Sequence, residues 1–215
     1  MWGSLSAPWR ACLVQGWEAC IAGTIPIGAA VAGPDMQVLA VGRNRLFGPR
    51  EASLDYVSGT PVAHAELNAL IAFTPGNVDA RACTMYTTTE PCPMCAGAIV
   101  MAGLRRVCYA TRDRWAGATN LCGLSPYLKT KNIRVGGCGV APFRTVMIAM
   151  QVEYFLREAW RRGHKPGLVE MLKEVDPVGE SLGRRLFEDG RLEPMRRAGC
   201  SAEEMLEQME TWFLG

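Results

Sequence analysis

The sequence predicts an α/β fold, in which helices cover a sheet that contains parallel strands, followed by a helical C-terminal extension. Between residues 24 and 162, short β-rich segments alternate with segments of helical periodicity, and this alternation favours parallel pairing. Beyond residue 166 the sequence becomes charged and helical in pattern, with few strand-forming residues. The 215 residues are 49% hydrophobic and 20% charged, a globular balance that excludes disorder or a coiled coil for the whole chain.

The elements of the α/β part follow from local pattern. Helices are predicted where apolar residues recur every three or four positions, and strands where short β-rich runs lie between turn residues. In the first helix Pro8 suits the first turn, and Leu13, Trp17 and Ile21 recur at a spacing of four, which predicts a buried face. In chain order the predicted elements are a helix at 7–22, strands at 24–33 and 37–43, a long polar loop at 44–62, a helix at 63–73, a strand at 84–89, a helix at 91–101, strands at 106–110 and 133–135, and a helix at 143–162.

The C-terminal part is predicted to be an appendage rather than a second catalytic domain. We divide the chain into a domain at 1–162 and a helical extension at 163–215, which packs on the core or on a partner subunit. The pattern of residues 167–215 predicts two or three short helices. His164 stands in the Gly-Pro loop before them with no partner motif, and is interpreted as a surface residue.

The sequence indicates a reducing compartment, and this determines how its nine cysteines are interpreted. The first 22 residues contain Arg10 and Glu18 and no long apolar run, so they are not typical of a secretory signal. A stretch of about 18 apolar residues, which a membrane span needs, is not found either. Cysteines in such a protein are metal ligands, catalytic thiols or small buried residues rather than disulfides. We therefore expect a cytoplasmic protein that does not contact a membrane.

The net charge of +2 conceals a basic middle third. Residues 81–134 carry eight basic and two acidic side chains, whereas each of the flanking parts has a net charge of −2. A basic surface there could serve a phosphate or a nucleic acid. The alternative is that these arginines on a strand and its loops are simply solvated.

Four residues in two short motifs indicate the chemistry of the protein. His64 and Glu66 stand in the segment H-A-E, and Cys92 and Cys95 stand in P-C-P-M-C, with Cys92 28 positions after His64. H-x-E followed by P-C-x-x-C is the signature of zinc nucleobase deaminases. A catalytic zinc takes three protein ligands and leaves its fourth position to water, and one imidazole with two thiolates satisfies that number. A helix start at Cys92 would also lower the pKa of its thiol.

The same residues predict the geometry of the site. Along the side of a helix His64 and Glu66 would diverge, but at the start of a helix both can face one point. We therefore predict a metal between two helix N-termini, with His64, Cys92 and Cys95 as ligands and Glu66 facing the water. The alternative is a structural zinc site completed by two further cysteines, drawn from Cys83, Cys108, Cys122 and Cys138. A structural site would not need Glu66 beside the histidine, which favours the catalytic interpretation.

The predicted reaction is hydrolytic deamination. Zinc lowers the pKa of a bound water molecule. Glu66 would accept the proton that this water loses and donate it to a ring nitrogen, while the hydroxide adds to the carbon that bears the amino group. Glu66 would then pass a proton to the leaving amine, and ammonia departs. An exocyclic amino group on an amidine-like carbon is thereby replaced by a carbonyl, with release of ammonia. Cytosine, adenine and guanine all present such a carbon.

The sequence resembles the cytidine and deoxycytidylate deaminase superfamily, and within it the branch of tRNA adenosine deaminases and bacterial guanine and cytosine deaminases. The resemblance covers roughly residues 5–160 and implies a three-layer α/β/α fold around a five-stranded mixed sheet, with zinc as cofactor and a homodimer as the expected assembly. The segments that carry it are residues 25–29 (IPIGA), 42–44 (GRN), 64–66 (HAE), 90–97 (EPCPMCAG) and 112–113 (RD).

The resemblance also implies roles for residues around the metal. Asn44 would hydrogen-bond the substrate and Ile27 would form an apolar wall, although Asn44 could equally be a turn residue and Ile27 a plain core residue. Asp113 and Trp115 would border the pocket, where Trp115 could stack on a base or simply pack locally. Further candidate substrate contacts inside the zinc motifs are Ala65 and Pro91.

Three functions compete at this point. The first is deamination of a free nucleobase, nucleoside or related heterocycle of cytosine, guanine or triazine type. The second is conversion of adenosine to inosine in tRNA, which the basic middle third supports. The third is a non-catalytic binding subunit, which the presence of Glu66 disfavours. The long loop at 44–62, the C-terminal extension and its lack of basic character favour the small-molecule substrate, and we expect residues 150–215 to cover the pocket.

Overall fold

A five-stranded mixed sheet lies at the centre of the computed structural model, which describes residues 1–163 and 165–214. The prediction for His164 thus lies outside the described residues. In spatial order the strands are β2 (Val38–Arg43), β1 (Gly28–Ala32), β5 (Thr84–Thr89), β6 (Arg106–Thr111) and β7 (Arg134–Gly137). A separate hairpin pairs β3 (Glu51–Ala52) with β4 (Val57–Ser58).

The pairing directions combine a hairpin with parallel crossovers. β1 is antiparallel to both β2 and β5, whereas β5, β6 and β7 run parallel. This arrangement agrees with the predicted strand order, because 24–43 form one hairpin and each later strand is separated from the next by helical segments. The predicted mixed five-stranded sheet is confirmed.

Helices cover both faces of this sheet and form the cores on either side of it. In chain order they are α1 (Ala7–Ile21), α2 (Ala65–Ala72), α3 (Pro93–Met101), α4 (Pro126–Lys131), α5 (Ala141–Arg162), α6 (Gly167–Val175), α7 (Pro177–Glu188), α8 (Leu192–Ala198) and α9 (Ala202–Leu214). α1 and α5 pack on one face of the sheet together with α7 and α9, and α2 and α3 pack on the other. The three-layer α/β/α architecture is therefore observed, with extra C-terminal helices on one side.

Two glycines let the helices approach the sheet closely. A Cβ atom at Gly28 in β1 would collide with the backbone of α1, and one at Gly42 in β2 would collide with the backbone of α2. Because only glycine fits such contacts, the hairpin fixes α2 against the sheet. The first turn of α2 carries the predicted site residues, so this contact positions the site.

The structure corrects four details of the sequence prediction. The first strand begins at Gly28 rather than residue 24, and the polar loop at 44–62 contains the β3–β4 hairpin. Ile21 is 38% exposed, since the buried face of α1 is instead formed around Cys12, Leu13 and Trp17. Residues 167–214 form four helices rather than two or three.

The C-terminal helices pack on the same chain. α7 lies against α5, where Gly183 is so close to Val152 and the carbonyl of Ala149 that a Cβ atom would not fit. On α9, Met205 belongs to the same core as Trp17 of α1. In the part of the chain that the structure describes, helices of the length and apolarity needed to cross a bilayer are absent.

Candidate active site

The starts of two helices meet at one end of the sheet. His64 is the N-cap of α2 and Cys92 is the N-cap of α3, with Pro93 in the first turn of α3. Proline suits that turn because no backbone donor is required there. The two helices pack against each other on the same face of the sheet, so their N-termini bring His64, Cys92 and Cys95 together.

The imidazole nitrogen lies from each of the two sulfur atoms at the separation that a tetrahedral zinc ion requires. Nδ1 of His64 lies 3.6 Å from Sγ of Cys92 and 3.6 Å from Sγ of Cys95, and all three ligand atoms lie within 4.8 Å of one another. Bond lengths of about 2.3 Å for zinc to sulfur and about 2.1 Å for zinc to nitrogen, at a tetrahedral angle, give a nitrogen-to-sulfur separation of about 3.6 Å. The arrangement of His64, Cys92 and Cys95 therefore fits a zinc ion.

The composition of this group favours a catalytic over a structural metal. Among the described residues, the group of potential metal ligands at this point consists of His64, Cys92 and Cys95 alone. The other cysteines that could have completed a structural site do not join it. Three protein ligands leave one position for water, as in catalytic zinc sites.

Neighbouring groups shift the pKa values of the two thiols and of His64. A hydrogen bond from Cys95, together with His64, lowers the pKa of Cys92 to about 4. The same hydrogen bond, with burial, raises the pKa of Cys95. The hydrogen bond to Cys92 likewise raises the pKa of His64. A metal cation would displace the proton of a thiol, because thiolates are its ligands.

Glu66 is a buried carboxylic acid in the first turn of α2. One of its oxygens accepts a hydrogen bond of 3.2 Å from the hydroxyl of Thr87 in β5. Burial raises the pKa of Glu66 above its ordinary value. A carboxyl group with a raised pKa exchanges protons more readily near neutral pH, which suits a general acid and base.

Most of the predicted site residues face one cavity, which has a volume of about 210 Å³. The predicted residues that line it are Ile27, Asn44, His64, Ala65, Glu66, Cys92, Asp113 and Trp115. Cys95 is fully buried beneath His64. Pro91 is buried but does not line the cavity, and its carbonyl accepts a hydrogen bond from the backbone N–H of Ala118.

Asn44 is a turn residue that also faces the cavity. Its Oδ1 accepts hydrogen bonds from the hydroxyl of Thr24 at 2.6 Å and from the backbone N–H of Leu46 at 3.1 Å, the second of which is typical of a turn. Within the described residues its Nδ2 has no hydrogen-bond partner, and the side chain lines the cavity. The amide is thus held through its oxygen while its nitrogen is available to a ligand. Ile27 similarly packs on the core and lines the cavity.

The loop after β6 forms the rim. Oδ1 of Asp113 accepts hydrogen bonds from the backbone N–H groups of Trp115 and Ala116 at 2.8 and 2.9 Å, which shapes the turn. Trp115 is 77% exposed, so local packing does not account for its position. Its indole ring is available to a bound base.

Several residues of the cavity wall were not found from the sequence. Gln151 of α5 is buried and donates a hydrogen bond of 2.9 Å to the hydroxyl of Thr89. Glu90, which stands in the zinc motif, accepts hydrogen bonds from Thr119 in the following loop. The other unpredicted residues of the wall are Ile25, Thr89, Arg112, Arg114, Ala116, Phe155, Leu168, Met171 and Leu172.

Comparison with known proteins agrees with this geometry. Residues 8–111 match the family model of the cytidine and deoxycytidylate deaminase zinc-binding region. The chain is 34% identical over 89 residues to a probable cytosine deaminase of Schizosaccharomyces pombe, which covers 41% of this chain and 55% of that protein. It is 35% identical over 98 residues to a tRNA-specific adenosine deaminase of Haemophilus influenzae, which covers 45% of this chain and 51% of that protein. The chain thus spans about half the length of these two curated relatives.

A solved structure is similar over a longer stretch. The guanine deaminase from Nitrosomonas europaea has a TM-score of 0.50 and 27% sequence identity, covering 70% of this chain and 85% of that one. The matches to the two curated relatives cover only 41% and 45% of this chain. The structural similarity therefore extends over more of the chain than the sequence similarity does.

Proposed function

We propose that the protein is a zinc-dependent hydrolytic deaminase of a free nucleobase, nucleoside or related heterocycle, because residues 8–111 match the model of the cytidine and deoxycytidylate deaminase zinc-binding region. It would replace an exocyclic amino group by a carbonyl and release ammonia. The relatives named above act on cytosine, on guanine and on tRNA adenosine.

One observation carries the proposal. The ligands His64, Cys92 and Cys95 and the carboxyl of Glu66 lie at a cavity that α6 closes from one side, through Leu168, Met171 and Leu172. Its volume of about 210 Å³ lies below the about 300–1,000 Å³ that is usual for drug-sized ligands. A planar base of one or two rings suits this space better than a folded RNA loop.

The side chains divide the work of the reaction. Zinc held by His64, Cys92 and Cys95 would supply Lewis acidity, which lowers the pKa of a bound water molecule. Glu66 would take one proton from that water and deliver it to the ring nitrogen next to the carbon to which the hydroxide adds. It would then move the proton of the added hydroxyl group to the amine, so that the C–N bond breaks, ammonia leaves and a carbonyl remains. Nδ2 of Asn44 donates to a ring acceptor, and Trp115 covers one face of the base. Asp113 positions Trp115 through the backbone of the turn.

The remaining features of the proposal concern the setting of the enzyme. We place it in nucleobase or nucleoside salvage, in the cytoplasm, as a homodimer. The nine cysteines are free thiols, which supports a reducing compartment. Trp160, near the C-terminal end of α5, is 82% exposed and is available for a subunit interface.

The second candidate is a tRNA adenosine deaminase. The similarity to the Haemophilus influenzae protein favours it, and so do Arg112 and Arg114 at the cavity. However, Arg114 already forms an ion pair of 2.9 Å with Glu174 of α6. A tRNA loop would have to displace this contact and the helix itself.

Ammonia release from a substrate panel tests the two candidates. The panel contains cytosine, cytidine, deoxycytidine and its monophosphate, adenine, adenosine, guanine, guanosine, aminotriazines and a tRNA anticodon stem-loop. Turnover of a base or nucleoside that is lost in Glu66→Ala, and lost on chelation and regained with zinc, is expected. Turnover of the stem-loop alone would replace the first candidate with the second.

A further inference from the structure

A second concave site lies at the opposite end of the sheet and has no part in the proposed reaction. It is a depression of about 270 Å³. Five cationic side chains and one amide line it, namely Arg81, Arg105, Arg106, Lys131, Asn132 and Arg134.

The topology of the sheet explains why these residues meet. Arg81 lies just before β5, Arg106 is the first residue of β6, and Arg134 is the first residue of β7. Because β5, β6 and β7 are parallel, their starts share one edge. The catalytic cavity lies at their other ends, where it is lined by Thr89 and Arg112. Strands of six residues separate the two sites by about 20 Å.

Contacts within the protein orient three of these five cations but do not neutralise them. Arg106 donates to the carbonyl of Ala82 at 3.0 Å, Arg105 donates to two neighbouring carbonyls, and the ammonium of Lys131 lies 4.3 Å from the ring centre of Tyr127. In the described parts of the chain none of the five forms an ion pair with a carboxylate. The acidic residue next to the cluster is Asp79, and its carboxylate accepts from the backbone N–H of Arg81 instead.

From this cluster we propose that the depression binds a small ligand that carries a chain of phosphate groups. Guanidinium groups match phosphate oxygens in pairs, and an ammonium adds a point charge. Five like charges converging on one depression repel one another, and a polyanion relieves that repulsion. The compact shape favours a small oligophosphate over a nucleic-acid backbone, which binds along an extended stripe of cations.

Titration calorimetry of the zinc-loaded protein with inorganic tripolyphosphate at low salt tests this site. The double variant Arg106→Ala/Arg134→Ala removes two cations from the depression. The matched control Arg50→Ala/Arg185→Ala removes two exposed arginines elsewhere. We expect the pocket variant to bind about tenfold more weakly, because exposed charge pairs contribute a few-fold each, and the control to bind like the wild type. Arg134→Glu alone, which removes no side-chain hydrogen bond that the structure shows, should also weaken binding.

Three results would overturn the inference. They are the absence of saturable binding, an equal loss in the pocket and control variants, and pocket-dependent binding of a short uridine oligonucleotide without binding of tripolyphosphate. The last result would identify a nucleic-acid surface instead. Thermal unfolding of each variant checks that it is folded. Since the readout is binding and not turnover, this test is independent of the deaminase proposal.

Discussion

At the scale of single residues, the start of a helix brings together side chains that its middle would separate. His64 has extended backbone angles, with φ −78° and ψ 156°, and Glu66 lies in the first turn of α2. Their side chains therefore reach the same cavity, although a spacing of two would place them on different faces further along a helix. Cys92 and Cys95 repeat this arrangement at α3.

The proton transfers assigned to Glu66 lead to the first prediction. Glu66→Gln keeps the shape of the side chain and an oxygen that can accept from Thr87, but it cannot exchange a proton. We expect kcat to fall by about 10²–10⁴-fold while the zinc content per chain stays the same. Ammonia release and metal analysis on the same sample measure both. Glu51→Gln, on the exposed β3 strand, is the control and should behave like the wild type; more than a tenth of normal activity in Glu66→Gln would refute the role.

The second prediction concerns Asn44, whose amide oxygen is bound within the protein while its amide nitrogen is available to a ligand. Asn44→Asp retains an oxygen for Thr24 and Leu46 but has no donor in place of Nδ2. Asn44→Ala loses both. We expect kcat/KM to fall at least about tenfold in both variants, as one hydrogen bond to a substrate is lost. Normal kcat/KM in Asn44→Asp, measured on the substrate that the panel identifies, would leave Asn44 with the turn role only.

At the scale of elements, α6 determines how much room a substrate has. Val169 and Leu172 anchor α6 in a small core with Ile148 and Val152 of α5. The neighbouring Met171 lines the cavity. The helix is therefore held in place by its own packing, and its contribution to the cavity wall is a consequence of that packing.

Shortening one side chain of α6 is the third prediction. Met171→Ala widens the cavity, so the ratio of kcat/KM for a nucleoside to kcat/KM for its free base should rise by about tenfold, within the range that small changes in apolar pockets produce. Lys173→Ala changes the exposed side of the same helix and should leave the ratio unchanged. If the two variants give the same ratio, α6 does not form the wall of the working site.

The helices and strands also show which features of the fold and of the site can be predicted from the sequence. The bounds of β5 and the metal geometry at α2 and α3 were predictable, because they follow from local composition, turn residues and motif spacing. The contributions of Gln151 and Met171 were not, since they depend on how α5 and α6 pack against the cavity. Four C-terminal helices form where two or three were predicted, although the sequence contains a signal for one of their boundaries. Asp176 caps the start of α7 through the N–H groups of Val178 and Gly179.

At the scale of the whole molecule, the C-terminal helices continue the core. Nε1 of Trp17 in α1 donates a hydrogen bond of 2.7 Å to the carbonyl of Cys200, which precedes α9. Met205 and Met209 of α9 pack in the same core as α1. We propose that residues 163–215 are an extension of the domain at 1–162 and unfold together with it.

A buried ion pair between α5 and α8 allows this proposal to be tested. Glu153 and Arg196 are 2.9 Å apart, and their side chains are only 4% and 8% exposed. Arg196→Ala would leave the carboxylate buried with Arg157 as its remaining partner. Removing one member of a buried pair is costly because the other stays desolvated. We therefore expect the free energy of unfolding to fall by about 3 kcal/mol.

The adjacent Arg197→Ala is the matched control, because Arg197 is 79% exposed and, among the described residues, pairs only with Glu193 at the surface. Its loss should lower the free energy of unfolding by less than about 1 kcal/mol. Urea unfolding of both variants, followed by tryptophan fluorescence and circular dichroism, should give one coincident transition for each protein. Equal losses in the two variants would mean that the α5–α8 contact does not stabilise the fold. Separate transitions would mean that the extension unfolds on its own, since cooperativity requires the core shared by α1, α5 and α9 to be lost in a single step.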